Sequence, residues 1–246
     1  GLNCAIFFDS TSFYIKEKLL EEGIPFVLKD KQVYLPFIGY LLSNENERKI
    51  SPVHLISFLT QKVILVAIYE KWENVTASKA AIRLGVTKMS ANRCFDEIEY
   101  LNVDILGMKG KSRVITVPAD IQKLWNDVRV ILRNPVIARY ELKEDIQLGK
   151  KAGITALCEY SLLSDNEYPT YAITKKEITE SGIRKMKQVH SGEEIGCVVL
   201  ELGYFIDFKN KKLEDPLSVT LSLTESEKQD ERIGISIKRM LEEYVW

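Results

Sequence analysis

The stretch 76–117, TASKAAIRLGVTKMSANRCFDEIEYLNVDILGMKGKSRVITV, has the most specific pattern in this 246-residue chain. Its first half predicts two helices joined by a sharp turn, because Gly85 can take the turn and Thr87 can cap the helix that follows. Its second half predicts a two-stranded hairpin with a glycine-containing, basic tip between two apolar runs. The stretch therefore indicates helix, turn, helix and hairpin in that order.

That order is the order of a winged helix-turn-helix. We predict a recognition helix over about 87–101 and a wing over about 103–117. Ala91, Ile98 and Leu101 give the second helix an apolar stripe with helical spacing. The chain as a whole is predicted to be α+β, with a central winged helix-turn-helix domain (51–134) flanked by a small N-terminal α/β piece (1–42) and a C-terminal α/β domain (135–246).

The flanking regions give further expectations. Asp9 or Ser10 is expected to cap a first helix that Gly23 ends, and a strand hairpin follows. Residues 43–49 are polar and are interpreted as a linker, and Ser51-Pro52 is expected to open a long, nearly all-apolar helix. In the last third we predict strands near 136–142, 171–174 and 197–205. A further strand is predicted where apolar residues alternate with Ser and Thr from 217 to 223.

Composition narrows the class of protein. No apolar run approaches the roughly 20 residues that span a membrane, and no signal-peptide pattern opens the chain, so we expect a cytoplasmic protein that does not enter a membrane. The four cysteines are scattered without a CxxC pair, and neither His54 nor His190 is in metal-ligand spacing with a cysteine. We therefore expect no metal and no cofactor.

The net charge of −1 hides an asymmetry. Residues 76–117 carry seven Lys or Arg against four Asp or Glu, a balance of +3. Residues 135–246 carry 16 basic against 20 acidic side chains, a balance of −4. A basic segment attached to an acidic one is typical of a protein that contacts phosphate with one part only.

The side chains in 76–117 fit recognition of double-stranded DNA. A helix in the major groove contacts base edges through polar and cationic residues of its first turns, and a wing contacts phosphates through its basic tip. The start of the preceding helix can hold the DNA backbone. The candidate DNA-binding residues are Ser78, Lys79, Thr87, Lys88, Ser90, Asn92, Arg93, Lys109, Lys111 and Arg113.

The same residues resemble the MarR-type and related winged-helix regulators of bacteria. The resemblance rests on Ala80-Ala81, on the turn Leu84-Gly85-Val86-Thr87, on Ser90-x-x-Arg93 and on the basic residues 109–113, and it covers about 45 residues. Ala80 stands where those proteins usually have leucine. The flanks lack the helical dimerisation arms of MarR proteins. The overall order of regions is also loosely similar to abortive-infection antitoxins, which join a winged helix to a toxin-neutralising domain.

The leading hypothesis is a transcriptional regulator that binds operator DNA as a homodimer and is not an enzyme. One alternative is an antitoxin-type protein whose C-terminal domain neutralises a partner protein. A second is a metal-dependent nuclease, for which Glu141-x-Lys143 is a candidate motif that is common by chance, and Asp207-x-Lys209 is no better. A small-molecule effector is a third alternative, based on Tyr160, Tyr168, Tyr171 and Tyr204.

Overall fold

The structure is a computed structural model that describes residues 4–29, 32–38, 40–43, 55–164, 168–186, 188–189, 193–209 and 212–246. Within these residues the protein is α+β. The strands are β1 (Ile6–Phe8), β2 (Phe26–Leu28), β3 (Gln32–Leu35), β4 (Tyr40–Ser43), β5 (Val75–Thr76), β6 (Leu106–Lys109), β7 (Ser112–Ile115), β8 (Val136–Leu142), β9 (Lys150–Lys151), β10 (Thr170–Ile173) and β11 (Cys197–Leu202). The α-helices are α1 (Phe13–Glu21), α2 (Phe58–Tyr69), α3 (Ala77–Leu84), α4 (Lys88–Tyr100), α5 (Ile121–Val128), α6 (Gly153–Tyr160), α7 (Lys175–Ser181), α8 (Pro216–Ser222), α9 (Glu225–Lys228) and α10 (Glu231–Tyr244).

The chain forms two compact units. The first unit combines residues 1–56 with 72–118, and the second combines 57–71 with 119–246. The chain therefore crosses from one unit to the other three times. This division differs from the three consecutive regions predicted, because α2 and α5 belong to the second unit while the stretch between them belongs to the first.

In the first unit, the N-terminal segment forms a four-stranded sheet in the order β1-β2-β3-β4. Strands β1 and β2 are parallel, and α1 connects them. The cap of α1 is Ser12, whose hydroxyl accepts the Ile15 N–H at 3.2 Å, and not the predicted Asp9 or Ser10. Gly23 has φ +67° just after the helix, which confirms it as the residue that ends the helix. Buried Phe26 and Leu28 form the local core with Leu19.

In the second unit, α2 is buried along nearly its whole length, as its apolar sequence predicts. Its predicted start at Ser51-Pro52 is wrong, since the described residues Leu55–Ser57 are not helical. The Ser57 hydroxyl accepts the Thr60 N–H at 3.1 Å and so caps the helix at Phe58. Residues 51–54 and the predicted linker beyond Ser43 lie outside the described residues.

The core of the second unit lies on a four-stranded sheet in the order β8-β11-β10-β9. Strands β10 and β11 are parallel, and β8 and β9 pair antiparallel with their neighbours. Every residue of β10 and β11 is buried. These positions confirm the strands predicted near 136–142, 171–174 and 197–205.

The strand predicted over 217–223 is wrong, because this segment is helix α8. Asp215 caps it by accepting the Ser218 N–H at 3.1 Å, and Pro216 occupies the first helical position. Ser218 and Ser222 are buried between the apolar residues and are hydrogen-bonded. A helix that is buried on nearly all sides does not need its apolar residues spaced at 3.6 positions. Its apolar residues can therefore alternate with Ser and Thr, a pattern that is also typical of a strand.

A buried polar cluster connects α2, α6 and α8 inside the second unit. The Tyr69 hydroxyl donates to Asp215 at 2.6 Å and accepts the Leu217 N–H at 2.8 Å. The Glu214 carboxylate accepts the Gly153 N–H at 3.0 Å and the Ser222 hydroxyl at 3.2 Å. Burial raises the pKa of Glu214 to about 8, since water no longer stabilises the carboxylate.

Within the described residues, no helix is both long and apolar enough to cross a bilayer. The same residues contain no group of three or more His, Cys, Asp or Glu side chains arranged to hold a metal ion.

Candidate nucleic-acid interface

The first helix of the central stretch, α3, packs through small residues. Ala77, Ala80 and Ala81 are buried, so Ala80 fills the inward position despite being smaller than leucine. Thr76 caps the helix at its start. Gly85 ends it with φ +66° and ψ +33°, a left-handed conformation that costs other residues about 1 kcal/mol. This glycine produces the sharp turn predicted from the sequence.

The second helix, α4, begins at once after the turn. Thr87 caps it by accepting the Ser90 N–H at 3.1 Å. Its inward stripe contains the four fully buried residues Ala91, Cys94, Phe95 and Ile98. The first two turns of α4 therefore have a fixed rotation about the helix axis, which decides which side chains face outward.

A hairpin and one short strand complete the arrangement. Strands β6 and β7 pair antiparallel, and the tip between them holds Gly110 with φ +61°. Strand β5, directly before α3, pairs with the other edge of β7, so the sheet order is β5-β7-β6. Val114 and Ile115 are both buried, and because neighbouring side chains of a strand point to opposite faces, both faces of β7 are covered at this end.

Arg113 connects the hairpin to α4. Its guanidinium Nη1 donates to Glu99 Oε2 at 2.8 Å, and Nη2 lies 2.8 Å from Asp96 Oδ1. It also lies over the Phe95 ring, 5.8 Å from the ring centre. Only 16 % of the side chain is exposed. Arg113 was predicted as a DNA contact, but its charge is directed at two carboxylates of the same unit.

Five predicted cations remain exposed in this unit: Lys79, Lys88, Arg93, Lys109 and Lys111. They lie on α3, on the first turns of α4 and at the hairpin tip. The ion pairs of Arg113 engage two of the four acidic residues of the stretch, which leaves the exposed side chains more basic than the formal balance of +3 suggests.

The uncharged candidates are partly committed to local bonds. The Thr87 and Ser90 hydroxyls lie 2.9 Å apart at the start of α4. The Asn92 amide donates to the Lys88 carbonyl at 3.0 Å, a bond along the helix that a base edge could replace. Ser78 is half-buried on α3. Thr87 and Ser90 therefore lie together at the start of α4, whereas Asn92 lies on another side of the helix; Thr87 is exposed, and Ser90 and Asn92 are half-buried.

Sequence reasoning missed three residues of this surface. Asp96 and Glu99 pair with Arg113. The sequence signal for this pairing was two acidic residues three positions apart on one helix face, followed by an arginine in the hairpin. Met89 is 67 % exposed among the polar residues of α4. No sequence pattern marked it, because a methionine inside a helix usually belongs to the core.

The residues behind the other hypotheses lie in the second unit. Glu141 accepts a hydrogen bond from Arg139 at 3.1 Å, and Lys143 donates to Glu193 at 2.6 Å, all as partly exposed side chains. Tyr160, Tyr171 and Tyr204 are buried. The Tyr204 hydroxyl contacts Gln61 and Ser218, so it is occupied by the protein itself.

Neither protein-family models, nor curated proteins, nor solved structures yield a match to this chain.

Proposed function

We propose that this protein binds double-stranded DNA through a winged helix-turn-helix formed by residues 76–117 and regulates transcription. In this proposal α4 is the recognition helix and enters the major groove. The hairpin β6-β7 is the wing and lies along a phosphate backbone. The single observation that carries the proposal is the exposed, basic and polar start of α4 opposite a fully buried apolar stripe.

The topology supports this assignment. A helix, a turn with a left-handed glycine, a second helix and a hairpin follow each other, and the strand before α3 closes a sheet with order β5-β7-β6. This sheet fixes the hairpin beside α4, and Arg113 adds a direct ionic connection between them. A recognition helix and a wing that move as one body bind DNA with a smaller loss of conformational entropy.

The distribution of charge also supports it. Lys88 and Arg93 are exposed at the start of α4, and Lys109 and Lys111 are exposed at the hairpin. Arginine and asparagine can form paired hydrogen bonds with guanine and adenine, while lysines contact phosphates. Arg93 and Asn92 would therefore select sequence, and Lys88, Lys109 and Lys111 would supply affinity that depends on salt.

The proposal is tested with duplexes enriched from a random pool by the full chain. Arg93→Ala and Asn92→Ala should each weaken binding to the enriched duplex about 5- to 100-fold, the loss of one paired base contact, and relax preference at one position. Arg239→Ala, an exposed helical arginine of the second unit, is the matched control and should bind like the parent. If all three variants keep the parent's preference and affinity, α4 is not the recognition helix.

We also propose that the protein binds DNA as a homodimer, which a two-fold operator would require. Sedimentation of the protein with the enriched duplex measures the stoichiometry. Two chains per duplex and two half-sites about 10 base pairs apart are expected. One chain on an asymmetric site would contradict the dimer without affecting the groove assignment.

The antitoxin-type function is the second candidate, and an open groove favours it. The groove has a volume of ≈ 750 Å³ and lies within the second unit, between α5, α8 and α10. Trp125, Leu221, Ile237 and Trp246 give it apolar walls. If the protein is an antitoxin, a toxic protein encoded by a neighbouring gene should co-purify with it. Charged substitutions at Ile237 should then abolish the complex and leave DNA binding intact.

A further inference from the structure

Met89 occupies an unusual place for an apolar side chain. It is the second residue of α4, and 67 % of it is exposed. The buried stripe of the helix is on the opposite side, so Met89 faces outward together with Arg93, one turn later. The Met89 sulfur lies 3.9 Å from Arg93 Nη2, which makes the two side chains one continuous surface.

We propose that Met89 reads the C5-methyl group of a thymine in the operator. This inference rests on the proposed function, because it requires α4 to lie in the major groove. The thymine methyl is the one apolar group that base pairs display there, and apolar side chains recognise it by contact. Met89 is flexible and polarizable, so it can follow the methyl surface without a fixed direction of approach.

The contact with Arg93 predicts where this thymine lies. One helical turn separates Met89 from Arg93, a rise of about 6 Å, and successive base pairs are about 3.4 Å apart. Arg93 is the residue of α4 suited to guanine. The thymine read by Met89 should therefore lie about one or two base pairs from the guanine read by Arg93.

The test removes the methyl group from the DNA and the side chain from the protein. Each thymine of the enriched duplex is replaced in turn by deoxyuridine, which keeps pairing and all hydrogen-bonding groups. At one position the parent should lose about fourfold in affinity, the value of one buried methyl group. Met89→Ala should bind the unmodified duplex more weakly and show no further loss with deoxyuridine at that position.

Two controls separate the outcomes. Met186→Ala removes a partly exposed methionine from the second unit and should keep the fourfold uracil effect of the parent. Met89→Leu keeps an apolar side chain at this position and should retain part of the uracil effect. A uracil effect of equal size in the parent and in Met89→Ala at every thymine overturns the inference while DNA binding stands. Failure of the parent to enrich any sequence overturns the proposed function and the inference with it.

Discussion

Replacement of Arg113 by methionine distinguishes two roles for this residue: an internal ion pair with carboxylates of α4, or a contact with DNA phosphate. Methionine keeps the apolar stem and removes the guanidinium that holds Asp96 and Glu99 at 2.8 Å. The two carboxylates, three residues apart on α4, then lose their shared cation and repel each other. We expect a loss of stability and only an indirect effect on DNA binding.

The structure sets the size of the loss. Fully exposed ion pairs contribute about 0–1 kcal/mol, and hydrogen bonds to charged groups about 1.5–3 kcal/mol. Arg113 is 16 % exposed, and Asp96 and Glu99 are 22 % and 38 % exposed, so the pairs lie between these cases. Arg113→Met should therefore reduce the free energy of unfolding of the first unit by about 2 kcal/mol.

Urea denaturation of the full chain, with hydrogen exchange measured for residues 72–118, provides the assay. Adding Asp96→Asn and Glu99→Gln to Arg113→Met should recover part of the loss, because the unpaired charges are then removed. Lys111→Met should change stability by less than about 0.5 kcal/mol, since the residue is exposed. If Arg113→Met leaves stability unchanged and lowers the salt dependence of DNA binding as Lys111→Met does, then Arg113 contacts phosphate and the anchor is wrong.

Lys109→Gln and Lys111→Gln should each reduce the steepness of the plot of log affinity against log salt concentration by about 1. Lys123→Gln, an exposed lysine of the second unit, should leave this slope at the parent's value. If the two hairpin variants also keep the parent's slope, the hairpin is not part of the interface. Gly85→Ala should destabilise the first unit by about 1 kcal/mol in urea and Gly85→Asn by less, because residue 85 has φ +66°; an unchanged midpoint for alanine would mean that the turn relaxes. The pKa of Glu214 is raised in the folded protein, so its contribution to stability is complete below pH 4.5 and is lost as pH rises through about 8. Between these pH values the free energy of unfolding should fall with rising pH by up to about 1.4 kcal/mol per pH unit, and Glu214→Gln should reduce this dependence. If Glu214→Gln leaves the dependence unchanged, other groups cause it.

Local signals explain which elements the sequence predicted well. The helix pair α3 and α4 was predictable because Thr76, Thr87 and Gly85 act within one turn of their own position. Strands β10 and β11 were predictable as short apolar runs, since both faces of the sheet are covered and all their residues are buried. In these cases the chemistry that decides the structure is adjacent in the chain.

The remaining features depend on residues distant in sequence. Helix α8 is buried, and the hydroxyl of its Ser218 donates to the Tyr204 hydroxyl, 14 residues earlier in the chain. The pairing of Arg113 with Glu99 spans 14 residues and two types of element. A basic residue in a hairpin is compatible with both a phosphate contact and an internal anchor, and only the tertiary arrangement distinguishes them.

Selection from fragmented genomic DNA by the purified full chain, followed by footprinting of the enriched fragment, tests whether α4 recognises DNA. We expect a discrete protected site for the parent. A variant combining Lys88→Ala and Arg93→Ala should lose both enrichment and protection while keeping the parent's unfolding midpoint, because both side chains are exposed. An absence of enrichment by the parent, or protection that persists unchanged in this variant, would contradict DNA recognition by α4.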